Sequence, residues 1–199
     1  MKVMDLTLGI NKRLVDLPVW LREHISRTRE VAVNLAAHYQ LDVAKCDLGA
    51  SAHDLARHWN DQELLFRADK EQMSIDIVER SVPMLLHGPV AAAIVKFELG
   101  CSDPDVLNAI RFHTTGRAFM SEVEKVVFLA DKIEPRKIRH SDILTAVEDV
   151  AYEDLNLAIQ KYLSIRIRSI IQSGGLVHPL SIEAWNYFLG LHNVFEPSA

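Results

Sequence analysis

Helix starts and stops punctuate this 199-residue chain almost from end to end, and they leave few folds open to it. Pro18 opens "PVWLREHISRTREVAVNLAAHYQ", where Leu21, Ile25, Thr28, Ala32, Leu35 and Tyr39 recur at helical spacing. A second helix is expected from about Val43 to Arg57. Asn60 and Glu63 give a capping-box pattern ahead of "QELLFRA". Residues 72–86 carry no pattern that assigns an element. Pro83 then turns the chain into "MLLHGPVAAAIVKFELG", read as one helix ended by Gly100. Ser102 or Asp103 caps "DPDVLNAIRFH", and "TTGRAF" reads as a loop. Ser121 and Glu124 pattern a capping box before "EVEKVVFLADKI", which Pro135 stops. "SDILTAVEDVA", "DLNLAIQKYLSIRIRSIIQ" with Gly174 and Gly175 behind it, and "HPLSIEAWNYFLG" complete the series. "SIRIRSII" alternates as a strand would, but it continues the helical pattern upstream. The expected fold is all-α: one helical domain over residues 18–191, an N-terminal extension over 1–17 and a C-terminal tail over 192–199.

Charge and cysteine content narrow the function classes. The net charge is −5 and no basic block occurs, which argues against a sequence-independent grip on long nucleic acid. A small phosphate ligand stays open, since one anion needs only a few cations. No run reaches the eighteen or so apolar residues of a membrane span, and the N-terminus lacks a signal-peptide pattern. Cys46 and Cys101 are too few for a disulfide framework. A cytoplasmic setting is the expectation. The sequence assigns no oligomeric state.

Nine histidines are many for this length, and their placement matters more than their number. His53 and Asp54 stand side by side in "GASAHDLARHW", a stretch otherwise rich in Ala and Leu. His24 lies on the first long helix with Leu21 and Thr28, toward its apolar stripe. His87 enters a helix beside Gly88, His113 ends "VLNAIRF", and Asp131 sits in "VVFLADKI". Taken singly, each reads as a satisfied core histidine or a capping aspartate. Together, four imidazoles and two carboxylates among apolar segments would need many separate partners, whereas one metal centre satisfies all of them. Adjacent residues on a continuing helix diverge by about 100°. At a helix end both can converge on one ion, and an aspartate's two oxygens can bridge two. His38, His58, His140 and His192 read as surface or structural groups, and Trp20, Trp59 and Trp185 as core.

The ordered strings "LREHISR", "AHDLA", "LLHGPV", "IRFHTTGR", "FLADKIEP" and "VHPLSIEAWN" resemble the HD-domain metal-dependent phosphohydrolases. Within them the chain is similar to the YqeK-type family, which hydrolyses diadenosine tetraphosphate symmetrically to two ADP. The likeness runs from about Pro18 to Phe188. It implies that His24, His53, Asp54 and Asp131 ligate one metal, and that Asp54 bridges to a second held by His87 and His113. Asp54, His87 and His113 would count as catalytic. The family is associated with a di-iron centre, and mixed imidazole and carboxylate ligation also suits manganese or zinc. Two departures stand out: Arg57 occupies a position where the family usually carries Lys, and "EPRK" replaces the usual "EPGR". Lys137 therefore takes the Arg position and Arg136 the Gly position.

The implied chemistry is attack on phosphorus by a metal-bound hydroxide at a dinuclear centre. Arg57, Arg117, Arg136 and Lys137 would hold the polyphosphate, with Thr114 and Thr115 as further donors and His178 as a possible phosphate contact. The expected partner is a dinucleoside polyphosphate, with ADP as product. Two alternatives accompany this reading: an HD-type phosphohydrolase of another nucleotide, and a nucleotide-binding module of low activity. No "GYP" signature of the cyclic-di-GMP branch occurs.

Overall fold

The computed structural model describes residues 3–139 and 141–192. Among them every regular element is a helix: α1 Val3–Val15, α2 Val19–His38, α3 Val43–Ala52, α4 Asp61–Lys70, α5 Ile77–Ser81, α6 His87–Ala93, α7 Pro104–Phe112, α8 Glu122–Lys132, α9 Pro135–Ile138, α10 Asp142–Ala151, α11 Leu155–Gln172 and α12 Pro179–His192, with a 3₁₀ turn at Pro83–Leu86 and a π turn at Ile94–Glu98. His140, residues 193–199 and the His192 side chain lie outside the described residues.

The central element is α8. All ten residues from Val123 to Lys132 are buried, as in a helix packed on every side. Its apolar residues join α2, α10, α11 and α12 in one cluster that includes Leu35, Phe128, Ile159 and Phe188. A second cluster gathers Leu6 and Ile10 of α1 with Leu21, Ile25, Leu48 and Ile110. A third holds α4 against α6 and the π turn through Leu64, Ala68, Val90 and Ile94. The N-terminal segment thus contains a helix whose apolar stripe enters the core beside α2. Burying Leu6 and Ile10 stabilises that arrangement by up to roughly 1.5–3 kcal/mol each.

The capping signals at Asn60–Glu63 and Ser121–Glu124 form as reciprocal boxes. Asp103 caps α7, with Pro104 at its first position. Four expectations need correction. The second helix ends at Ala52 rather than Arg57. Beyond it, Leu55, Arg57 and Trp59 donate their N–H to carbonyls only three residues back, so the backbone tightens. The single helix expected up to Gly100 is three pieces. Pro83 opens the 3₁₀ turn, α6 restarts with Pro89 in its first turn, and the π turn follows. Residues 72–86, left without an element, contain α5, capped by a reciprocal Asp76–Glu79 box. Pro135 opens the short α9, with Glu134 accepting the Arg136 N–H, as well as ending the preceding helix. Trp20 is also not core: it is 52% exposed. Trp59 and Trp185 pack partly buried against the core.

Gly88 fixes how close α6 and α7 approach. A Cβ there would lie 2.9 Å from the Arg111 carbonyl and 3.2 Å from His113 Cε1. Only glycine lets the His87 end of α6 sit this near His113.

Candidate metal centre

Six side chains from five separate segments meet beside the C-terminus of α8. His53 is the C-cap of α3 and Asp54 follows it into the tightened turns. His87 is the first residue of α6, His113 the C-cap of α7, and Asp131 lies in the last turn of α8. His24 projects from α2. Four of the six therefore sit at a helix end, where consecutive or capping side chains escape the 100° divergence of a continuing helix.

Asp54 is the hub. Its Oδ2 lies 3.5 Å from His24 Nε2 and 3.4 Å from His53 Nε2. Its Oδ1 lies 3.1 Å from His87 Nε2 and 3.4 Å from His113 Nε2. Asp131 Oδ1 closes the first group at 3.0 Å from His24 Nε2 and 3.8 Å from His53 Nε2.

The tautomers follow from the outer hydrogen bonds. His53 Nδ1 donates to the Ala50 carbonyl at 2.7 Å, His113 Nδ1 to Ile110 at 2.8 Å, and His87 Nδ1 to Met84. Each bond reaches back three residues on the ring's own chain. His24, in mid-helix, instead turns Nδ1 toward Glu134 Oε1 at 3.5 Å, and Glu134 is gripped by Arg27 at 2.6 Å. With Nδ1 the donor, every Nε2 presents a lone pair inward. Yet His87 and His113 Nε2 stand 2.9 Å apart, and His24 and His53 Nε2 stand 3.3 Å apart. Two acceptors at such distances repel unless a cation lies between them. Second-neighbour hydrogen bonds that fix an imidazole tautomer are the habit of metal ligands. The donor set fits metal ions, and the groups His24–His53–Asp131 and His53–Asp54–His113 each have ligand atoms close enough to share one.

The electrostatics agree. Burial works to raise the Asp54 carboxyl, but the surrounding imidazoles, His53 foremost, outweigh it and hold Asp54 well below the usual carboxylate range. Burial likewise opposes ionisation of Asp131, and Lys132 and Lys137 override it. Burial pushes His113 down to about 4, so its ring is neutral at physiological pH. For His53 burial acts downward, and Asp54 and Asp131 raise the value overall.

The cluster floors a cleft of about 390 Å³. Arg57, Thr114 and Lys137 line it as well. Thr114 Oγ1 lies 3.1 Å from His113 Nε2, and Lys137 Nζ lies 2.7 Å from Asp131 Oδ1. Thr115 and His178 are buried around an adjoining groove of about 260 Å³, walled by Leu85, Leu163, Ile167, Ile170 and Leu176. His178 Nδ1 accepts the Leu180 N–H at the start of α12.

Two expected phosphate ligands are not brought to the cleft. The Arg117 guanidinium is held by both oxygens of Glu124, at 2.7 and 2.5 Å, and Glu124 is 1% exposed. Arg117 neutralises a buried carboxylate instead. Arg136 points to solvent from the first turn of α9, and its backbone N–H serves the Glu134 cap.

Sequence reasoning missed Lys132, Tyr162 and Arg166, which also line the cleft. Lys132 is buried with Nζ 2.6 Å from Asp131 Oδ2, over the Phe128 and Tyr162 rings. Its adjacency to Asp131 was the available signal. Tyr162 and Arg166 come from α11, far along the chain, and share one helix face at four-residue spacing.

Comparison with known proteins points one way. A family model described as the HD domain matches residues 21–136. A symmetrical bis(5'-nucleosyl)-tetraphosphatase of Halalkalibacterium halodurans is 38% identical, covering 84% of this chain and 88% of its own. One of Staphylococcus aureus is 33% identical, covering 86% and 88%. The fold matches, with a TM-score of 0.87 and 33% identity over 92% of this chain and 96% of the other, a crystal structure from Clostridium acetobutylicum described as a predicted HD superfamily hydrolase involved in NAD metabolism.

Proposed function

The chain belongs to the HD domain family, and on that premise we propose that it is a phosphohydrolase converting diadenosine tetraphosphate to two ADP at a centre of two metal ions, iron first, with manganese or zinc as alternatives. The observation that carries this reading is the division of Asp54: one oxygen faces the His24–His53 pair and the other the His87–His113 pair. His24, His53, Asp54 and Asp131 would hold one ion, and Asp54, His87 and His113 the other. Bound divalent ions supply Lewis acidity toward phosphoryl oxygens and a water acidic enough to deprotonate near neutral pH.

The protein's own groups do the rest. Thr114 donates from the cleft edge toward an incoming phosphoryl oxygen. Arg57 and Lys137 offset polyphosphate charge. Lys137 Nζ lies 2.7 Å from Asp131 Oδ1, and its flexible stem would let the ammonium turn to a phosphate. Lys132 stays on Asp131 Oδ2 and orients that carboxylate. The apolar groove that Thr114 helps to line accepts a nucleoside, with Thr115 and His178 also in its lining. The departing ADP ends in a phosphate that ionises near pH ~6, so no strong general acid is required.

The test is one preparation, purified without oxygen, analysed for metal and assayed on diadenosine tetraphosphate, nucleoside triphosphates and cyclic dinucleotides. The expected result is transition metal at two ions per chain and a clear preference for the tetraphosphate with ADP as product. Preference for a substrate lacking a bridging polyphosphate, or metal-loaded protein that binds ADP without turnover, would overturn it.

A further inference from the structure

The metal-competent cleft and the apolar groove share three residues among those described: Thr114, Tyr162 and Arg166. Of these only Arg166 carries a charge. Its guanidinium has no ion pair or hydrogen bond to any described residue and is exposed at the threshold. The other cations of the cleft differ. Lys132 and Lys137 are engaged with Asp131, and Arg57 rests on Met84 Sδ. Among the described residues no carboxylate lines the groove, and Arg166 is the one Lys or Arg that does. A phosphate passing from the groove to the cleft therefore meets one unengaged cation, and that cation is a planar fork able to bind two phosphate oxygens at once.

On the reading that this is a dinucleoside tetraphosphate hydrolase, we infer that Arg166 is the residue that fixes which phosphorus is attacked. A nucleoside seated in the groove places its first phosphate at the threshold, against Arg166. The second phosphorus then falls over Asp54 and its four imidazoles. Water oxygen bonds to that second phosphorus, and the bond from it to the bridging oxygen breaks. The bridging oxygen leaves with the electron pair on the other half, and the water protons pass to solvent. Both halves are ADP. Attack one phosphorus nearer the nucleoside would give AMP and ATP instead. Tyr162, one helical turn before Arg166, presents its half-buried ring at the same threshold and limits how far the chain can slide.

The experiment is chromatographic analysis of the products from diadenosine tetraphosphate, with KM and calorimetric ADP affinity, for wild type, Arg166→Ala and Arg166→Lys. Metal content is measured on each. Wild type is expected to release ADP alone. Arg166→Ala is expected to keep its metal, to lose about tenfold or more in KM and ADP affinity, since one charge-assisted contact is gone, and to divert part of its product to AMP and ATP. Arg166→Lys keeps the charge without the fork and is expected to fall between. An Arg166→Ala protein with wild-type KM, wild-type ADP affinity and ADP as sole product overturns the inference while leaving the hydrolase reading intact. A wild type that does not cleave the tetraphosphate overturns the hydrolase reading first. ADP affinity that is unchanged in Arg166→Ala then removes Arg166 as a phosphate contact too.

Discussion

Asp54 and Arg117 mark two ends of what a single residue discloses. The adjacency of His53 and Asp54 in an apolar stretch was legible because unpaired polar groups are costly in a core. Their convergence was legible in principle because Asp54 has two oxygens. Changing Asp54 to Asn removes the charge and leaves one oxygen where two face the two imidazole pairs. Metal per chain is expected to fall at both positions, and activity by more than about 100-fold, beyond what a merely orienting neighbour contributes. Anaerobic metal analysis decides, and an Asn variant retaining two ions would sink the bridging role. Arg117 misled because attachment to a metal-bearing loop says nothing about which way a side chain points. Its partner Glu124 is 1% exposed, so Arg117→Ala strands a buried carboxylate at a cost of about 1–3 kcal/mol. The expected signature is a lowered melting temperature with KM unchanged, and recovery of stability when Glu124 is made Leu in the same chain. A raised KM without loss of stability would restore Arg117 to the substrate.

Elements were legible where a cap and an apolar stripe agreed, and illegible where the helix bends. The Asp76–Glu79 box that starts α5 was present in "SIDIVER", but five helical residues are too short for periodicity to announce. The breaks around Pro83–Leu86 and Ile94–Glu98 leave no strong mark, because Leu86, Ile94 and Val95 are buried apolar residues like those of the α6 between them. Yet the first break is what sets His87 at a helix start. Helix α1 was hidden for another reason: its anchor is tertiary. Arg13 pairs with Glu98, which Arg67 of α4 also holds at 2.6 Å. Burial acts to raise the Glu98 carboxyl, but Arg67 and Arg13 outweigh it and set its pKa below the ordinary 4.5. A lowered carboxyl stabilises the fold above its unfolded pKa and loses that contribution as pH falls through the folded value. The Glu98 side chain is 35% exposed, so each contact is worth about 0.2–1 kcal/mol. Wild type is therefore expected to be more stable than Glu98→Gln in urea at pH 7, and the gap should close as pH falls from 7 to well below 4.5. A gap that is the same at both ends of that window would mean the glutamate acts through packing instead of charge.

At the scale of the whole molecule, the fold class and the six-residue constellation were legible, while the second layer of the site was not. The ligands announce themselves by being polar where the pattern is apolar. Tyr162 and Arg166 do not, because a tyrosine and an arginine on a half-exposed helix are ordinary until the fold brings α11 over the cleft. With the proposed ions bound, that geometry would make the site a clip as well as a reaction centre. The six side chains come from α2, the end of α3, the start of α6, the end of α7 and the end of α8, so ions held by them would join the layers around the buried α8. The Nε2 atoms of two imidazole pairs stand 2.9 Å and 3.3 Å apart there, and a cation between them would relieve the repulsion of their lone pairs. A ligand that binds only the folded chain adds about 2.7 kcal/mol at a free concentration of 100 times its Kd. For a domain of this size that corresponds to a rise in melting temperature of roughly 5–11 °C. Stripping metal with a chelator and restoring Fe²⁺, Mn²⁺ or Zn²⁺ without oxygen should lower and then recover the transition by that amount. His113→Ala, which opens one half of the centre, should recover less. A melting temperature indifferent to chelation and reloading would mean that the imidazoles are held by the fold alone.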